Sequence, residues 1–317
     1  MIASAKISAE RKANPYVLMT AAHDEEENIA KTIESLLAQT RLPERWVIVS
    51  DASSDHTDEI IQRYAGQHEF IRFYKVTRAP GRSFGSKVGA LQQASKLLQG
   101  VSYDFIGNLD ADITLDPEYF EKLFERFESN PSLGIAGGFV CDRIGGEFQS
   151  RRSNRTYSVG HAAQLVRRKC YEQFGGYAVL EYGGEDWHAQ TSARMNGWEA
   201  EAFPDLRVYH HRRTGEADSL IRHKFRQGRM DYSFGSNPVF EALKCVERVP
   251  ERPFLIGGLA RLAGFSWAWA RRDRRPVSAE FISYLRSEQR AKMTAIFSKQ
   301  GANGSASHAK GISANGN

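Results

Sequence analysis

Two carboxylates one residue apart, Asp110 and Asp112, close the apolar run Phe105-Ile106-Gly107-Asn108-Leu109. Hard oxygen ligands of this kind hold Mg2+ or Mn2+ while leaving coordination positions for substrate phosphates. Asp-x-Asp alone is a weak signal, because a chain of this length should contain on the order of one by chance, and a solvated turn or helix cap is the competing account. Its position strengthens the metal reading: it follows a strand-like run and precedes a well-marked helix, where the carboxyl ends of parallel strands bind ligands. A second acidic site is Gly183-Gly184-Glu185-Asp186-Trp187, two adjacent carboxylates at a glycine-loosened helix entrance. One of them can serve as a general base of tuned pKa, although simple N-terminal helix acids would look the same.

Other polar groups fall at the ends of apolar runs. The first run is followed by Ala21-Ala22-His23-Asp24-Glu25-Glu26-Glu27-Asn28, and the second by Ser50-Asp51-Ala52-Ser53-Ser54-Asp55-His56-Thr57. Asp51 is the better candidate for a nucleobase or ribose ligand and Asp55 the better helix cap, while Glu26 and Glu27 complement a helix dipole. Arg78, Arg82 and Lys87 surround Gly81 and Gly85, a setting of cations and tight turns suited to a diphosphate, or a solvated basic helix start. Trp187 can shield the Glu185–Asp186 pair or stack on a sugar ring. In Val208-Tyr209-His210-His211-Arg212-Arg213, one histidine can complete a metal site with Asp112 and Arg212 can meet a phosphate; a purely structural pair of histidines is the competing account.

The elements that must position these residues alternate. Short β-rich runs at Tyr16 to Thr20 and Trp46 to Ser50 flank a segment with Ile29, Ile33, Leu36 and Leu37 at helical spacing. A helix near Asp58 to Tyr64, a strand at Phe70 to Val76, a helix from about Ser83 to Leu98 and the strand ending at Asp110 continue the pattern. This alternation predicts an α/β fold with a mainly parallel, doubly wound sheet. Asp116 as cap and Pro117 in the first turn predict a helix that buries Phe120, Leu123, Phe124 and Phe127. Gly134 to Val140 reads as a strand, Asp142 to Arg155 as Arg- and Gly-rich loops, Asp186 to Asn196 as a helix stopped by Gly197, and Glu199 to Phe203 as a strand. Beyond Arg213 the chain reads as amphipathic helix.

Composition bounds the class. With 317 residues, 41% hydrophobic and 26% charged, the chain is that of a soluble globular protein, and its net charge of +5 suits an anionic partner. Cys141, Cys170 and Cys245 follow neither disulfide nor zinc spacing, which fits a reducing cytoplasm. Residues 1–14 lack the apolar core of a secretory signal and read as a flexible N-terminus, and from Ser298 the Gly/Ala/Ser/Asn-rich tail to residue 317 reads as disordered. Phe254 to Ala270, with Trp267 and Trp269 ahead of Arg271, Arg272, Arg274 and Arg275, supports two readings: an interfacial helix with a basic flank, or a core helix. The first loop lacks Gly-x-Gly-x-x-Gly, and no Gly-x-x-x-x-Gly-Lys-Ser/Thr loop is present, which argues against a Rossmann dehydrogenase and a P-loop enzyme.

Taken in order, Asp24-Glu25-Glu26, Val49-Ser50-Asp51-Ala52-Ser53-Ser54-Asp55, Gly85-Ser86-Lys87-Val88-Gly89-Ala90-Leu91, Asp110-Ala111-Asp112, Glu185-Asp186 and His210 make residues 15–215 resemble the inverting family 2 glycosyltransferases of bacterial exopolysaccharide synthesis. The resemblance implies a GT-A fold, a Rossmann-like mixed sheet flanked by helices, followed by a helical C-terminal region at 216–297. It implies a nucleotide-sugar donor, UDP-sugar favoured, contacted by Ala22, Asp24, Glu25, Asp51, Arg82, Lys87, Asp110, Ala111, Trp187 and Arg212. Asp112 and His210 would hold Mn2+ or Mg2+, with His211 as the alternative, and Asp186 beside Glu185 would be the catalytic base. The acceptor would be a glycan or lipid-linked hydroxyl, met in the cytoplasm or at the cytoplasmic face of the inner membrane, with no nucleic acid expected. Ala21, Asp24 and Ser50 depart from the family pattern and bear on nucleoside affinity. The competing readings are a non-catalytic nucleotide-sugar-binding protein of the same fold and a sugar-phosphate nucleotidyltransferase, whose first loop would be Gly-rich and basic rather than acidic.

Overall fold

Seven uncharged residues, Tyr16–Ala22, form β1, which is buried along almost its whole length. Such continuous burial is what a central strand with both faces covered requires. In the computed structural model, residues 14–76, 84–212, 220–247 and 256–311 are described, with side chains omitted for 84–86, 247 and 296–311. Arg78, Gly81, Arg82 and nearly all of the expected flexible N-terminus lie outside the described residues. The chain divides into two units, Met1–Thr214 and Gly215–Asn317.

The first unit is built on a nine-stranded mixed sheet of order β3-β2-β1-β4-β8-β6-β9-β5, with β7 paired to β6. Strands β2 (Arg45–Asp51), β3 (Ile71–Val76) and β4 (Phe105–Leu109) run parallel to β1 and form one half. The other half contains β5 (Ile113–Leu115), β6 (Leu133–Ile144), β7 (Glu147–Ser150), β8 (Ala163–Arg167) and β9 (Glu199–His210). There the pairings are antiparallel except β6 with β9. Helices cover both faces, and the alternation of strand side chains decides which face each residue meets. Tyr16 and Leu18 join a core with α1 (Ile29–Leu37), α2 (Thr57–Gln67) and α4 (Tyr119–Ser129). Val17 and Met19 join the opposite core with α3 (Phe84–Leu97), α5 (Arg168–Gln173) and α6 (Glu185–Met195).

Three local expectations change. Much of the stretch read as loop from Asp142 is a hairpin, β6 into β7, turned through Gly145 and Gly146 in the left-handed region. Strand β9 runs on past Phe203 to His210, because a register shift at Gly138/Phe139 lets it continue along β6. Helix α4 starts at Tyr119 rather than at Pro117, and the Asp116 carboxylate accepts from the Tyr209 hydroxyl instead of capping it.

The second unit comprises α7 (Leu220–Ser233), α8 (Pro238–Glu247), α9 (Ile256–Arg271) and α10 (Ala279–Gly311). Helix α10 carries its backbone ladder through 298–311, where composition predicted disorder; extending an existing helix avoids the cost of nucleating one. Among the described residues no helix is long and apolar enough to cross a membrane.

Candidate active site

Parallel strands deliver their carboxyl ends to one edge, and β1, β2 and β4 bring three acidic loops there. The first loop is clamped to the second. Asp24, in the left-handed region, accepts from the Ser54 backbone N–H at 2.8 Å, and this bond holds its carboxyl below the usual range. Glu26 accepts from the backbone and ring nitrogens of His56, while Asp55 accepts from the N–H groups of Glu26 and Thr57. Asp24 and Glu26 therefore shape the loops, and Asp55 accepts from the first N–H of α2 without standing at its N-cap, which is His56. Glu25 and Asp51 are both buried. Arg212 reaches back to this loop, bonding the Glu25 carboxylate and the Asp24 carbonyl, each at 2.9 Å. Ala22 ends β1 in the core, and the buried Ala111 accepts from the Thr32 hydroxyl, so both act through backbone and packing.

Lys87, early in α3, lies among the carboxylates. Its Nζ is 2.7 Å from Asp110 Oδ1, which also accepts from Asn108 Nδ2 at 3.1 Å. Burial pulls the Lys87 pKa down, but Asp110, Glu185 and Asp112 outweigh it, and the ammonium is held above its ordinary value. The charge of Lys87 in turn helps ionise Asp186. Burial and the adjacent Glu185 charge nevertheless push the Asp186 carboxyl up to about 6. Gly184 at φ 88° opens α6, and the Trp187 backbone N–H donates to Asp186 Oδ1 at 2.7 Å. Lys87 thus electrostatically links residues from α3, the β4–β5 turn and the start of α6.

A strand missed from sequence, β5, pairs Ile113 with His210 of β9 and so carries Asp112 toward the histidine. His210 Nε2 stands 3.4 Å from Asp112 Oδ2, whereas His211 Nε2 bonds the Thr114 hydroxyl at 3.0 Å. The two histidines therefore face different partners, and only His210 faces Asp112. Burial would raise the Asp112 pKa, but His210 and Lys87 bring it below the ordinary value. Behind His210, Asp142 Oδ1 lies 3.1 Å from Nδ1, and Arg151 grips Asp142 through Nε at 2.8 Å and Nη2 at 2.6 Å.

Two ligand atoms about 3 Å apart suit adjacent positions around a small octahedral cation. The Asp112–His210 separation and the excess of carboxylates around Lys87 fit a divalent ion. Among the described residues no cluster of three or more His, Cys, Asp and Glu side chains could hold a metal ion. Such an ion would take its other ligands from water and phosphate oxygens.

Sequence reasoning missed Asp142, Arg151, Asn108 and His161. Asp142 lies opposite His210 only through the β6–β9 register, and Arg151 only through the hairpin. His161 is buried against the Tyr177 ring at a centroid distance of 4.5 Å, with Nδ1 3.7 Å from Glu185 Oε1. Burial first, and Lys87 second, lowers its pKa to about 3, so the ring is neutral. No local sequence pattern marks it. Arg82 lies outside the described residues, so its place at the site rests on sequence.

Known proteins share this architecture. A mannosyltransferase from Pyrobaculum calidifontis, PcManGT, in complex with GDP-Man and Mn2+, matches with a TM-score of 0.54 at 16% identity, over 90% of this chain and 81% of that one. Residues 1–349 of TarS from S. aureus in complex with UDP-GlcNAc match with a TM-score of 0.51 at 15% identity, over 86% and 78%. The fold is thus of the GT-A nucleotide-sugar transferase class. The model of glycosyl transferase family 2 matches residues 17–180, more than half of the sequence, and the chain belongs to that family. Poly-beta-1,6-N-acetyl-D-glucosamine synthases of Staphylococcus epidermidis and Staphylococcus aureus are 31% and 32% identical to it over 120 residues. That stretch is 38% of this chain and only 27% of those relatives.

Proposed function

We propose that the protein is an inverting, metal-dependent glycosyltransferase that moves a sugar from a nucleotide-sugar donor, with UDP-sugars favoured, to a hydroxyl of a glycan or lipid-linked acceptor in exopolysaccharide or cell-surface synthesis. The observation that carries this reading is the convergence on Lys87: Asp110, Asp112, Glu185 and Asp186 all lie close enough to interact with it. Membership of family 2 supports the reaction class, and the synthase relatives support the polymer setting.

In this mechanism Glu25 and Asp51 receive the nucleoside, with Asp24 shaping their loop and Arg212 orienting Glu25. Lys87 exchanges part of its pairing with Asp110 for the donor diphosphate, and Arg82 adds charge. Asp112 and His210 would hold Mn2+ or Mg2+, whose role is to neutralise the leaving diphosphate. Asp142 and Arg151 fix the His210 ring, the outer-shell support that ligating histidines generally need. Asp186 takes the proton from the acceptor hydroxyl while that oxygen bonds to the anomeric carbon. The anomeric C–O bond to the diphosphate breaks on the opposite face, and the electron pair leaves with the nucleoside diphosphate. Configuration inverts, and Trp187 packs beside the sugar. A base with a pKa of about 6 is ionised at neutral pH and still able to accept a proton.

A thermal-shift panel of UDP-, GDP- and dTDP-sugars with and without manganese tests donor binding. One manganese-dependent stabiliser is expected. Equal melting temperatures across the panel would refute the donor assignment.

A further inference from the structure

The second unit buries a charged cluster beside a small apolar core of Tyr232, Phe265 and Ala268, and it exposes further apolar side chains. Arg261 is 5% exposed, and its Nε bonds Asp231 Oδ2 at 2.8 Å and Glu241 Oε1 at 2.9 Å. Lys244 Nζ completes the group at 2.9 Å from Asp231 and 3.1 Å from Glu241. Two cations and two carboxylates thus occupy the interior between α7, α8 and α9. The outward faces are the reverse. On α8, Val239, Leu243 and Val246 recur at helical spacing and are 62%, 39% and 68% exposed. On α9, Ile256, Leu259, Trp267 and Trp269 are all more than half exposed, while its inward face carries Arg261, three glycines, Phe265 and Ala268.

A helix in water puts its apolar stripe inward. Here Phe265 and Ala268 of α9 pack inward on Tyr232, but further apolar side chains of α8 and α9 face outward, and α7 and α9 are also held by close backbone approach. A methyl group on Gly228 would strike the Arg261 carbonyl, and one on Gly264 the Phe225 carbonyl. Packing through small residues with polar groups turned inward is the solution favoured where the surroundings are apolar. Helix α9 has 16 residues, about 24 Å of rise, short of the ~30 Å hydrocarbon core, so it fits lying in a membrane surface rather than crossing it. Its end continues into Arg271, Arg272 and Arg274, all exposed, next to the two exposed tryptophans. Arg271 is paired with Asp273 at 3.4 Å, but exposed indoles followed along the chain by exposed arginines match the headgroup zone of an anionic bilayer, and the charge selects that partner over another apolar protein face.

We infer that the outward faces of α8 and α9 seat on the surface of an anionic lipid bilayer, with Trp267 and Trp269 in the headgroup layer and Arg271, Arg272 and Arg274 on lipid phosphates. This holds independently of the sugar-transfer reading. The test is flotation of the full chain with vesicles of phosphatidylcholine alone or with about a third phosphatidylglycerol. Wild type floats with the anionic vesicles. Trp267→Ser with Trp269→Ser lowers the partition coefficient by roughly tenfold or more while leaving the melting temperature unchanged. Each Arg→Ser change lowers it about fivefold at low salt. Absence of flotation, or flotation indifferent to the tryptophan pair, overturns the inference. So does self-association in light scattering that the tryptophan pair abolishes, since a second copy of the chain would then be what covers this face. Donor-induced thermal shifts, measured on the same variants, stay at the wild-type value.

Discussion

In the sheet unit, apolar side chains fill two cores and the carboxylates proposed to act collect around Lys87 near the carboxyl ends of the parallel strands. In the helical unit, Asp231, Glu241, Lys244 and Arg261 are packed together inside and aliphatic and indole groups face out. Both regions concentrate charge, but to different ends. At the sheet edge the charges are unequal in number, four carboxylates around Lys87, and the imbalance is what a bound divalent cation would offset. Within the helices two cations match two carboxylates, and the neutral group serves as a structural tie. An excess of one sign points to a ligand, whereas a closed, balanced cluster points to architecture.

Four experiments bear on that contrast. Asp186→Asn keeps the shape and removes the base, so kcat should fall by roughly 10^2–10^4-fold while nucleotide-induced stabilisation persists. Near-normal turnover would place the chemistry elsewhere. Arg261→Ala strands Asp231 and Glu241 with Lys244 alone and should cost about 3–5 kcal/mol in denaturant unfolding, compared with the wild type. A variant as stable as wild type would mean that glycine packing, and not charge, ties the helices together.

Asp142→Asn, aimed at the support of His210, should weaken manganese affinity by about 10–100-fold, read as a rise in the half-saturating metal concentration. An unchanged value would detach His210 from the metal. The smallest effect concerns pH. Because Asp186 must be ionised to act, log kcat/KM should rise with slope one up to about pH 6 and then level. The same raised pKa runs the other way for stability. The protonated carboxyl suits the folded site, so the contribution of Asp186 is fully present below its unfolded pKa and is lost as pH rises through about 6. A limb that stays in place in Asp186→Asn would assign it to another group.

Much of the first unit was legible because its signals are local. Val47 to Val49 and Phe105 to Leu109 are short apolar runs ending in acids, and α4 shows Phe120, Leu123, Phe124 and Phe127 on one face. Strand β5 was not legible, being three residues long, and β8 with α5 carries no turn signal strong enough to separate them. Asp24 was read as a donor contact, but its carboxylate is engaged by Ser54; a loop acid and a ligand acid look alike until the neighbouring loop is in view. For 254–270, the composition fitted two placements equally well. Burial of Arg261 and exposure of Trp267 and Trp269 show which face turns inward.

By itself, the sequence determined the alternation of strands and helices up to β4, the family, and the acids that end the parallel strands, because period and punctuation are properties of neighbouring residues. Tertiary structure alone decided that His210 rather than His211 faces Asp112, that Asp142 and Arg151 stand behind it, and which apolar side chains of α8 and α9 are left exposed. Each of these depends on strand register or helix rotation. A shift of one residue in register reverses which side chain faces which, and nothing in the local sequence records the partner strand.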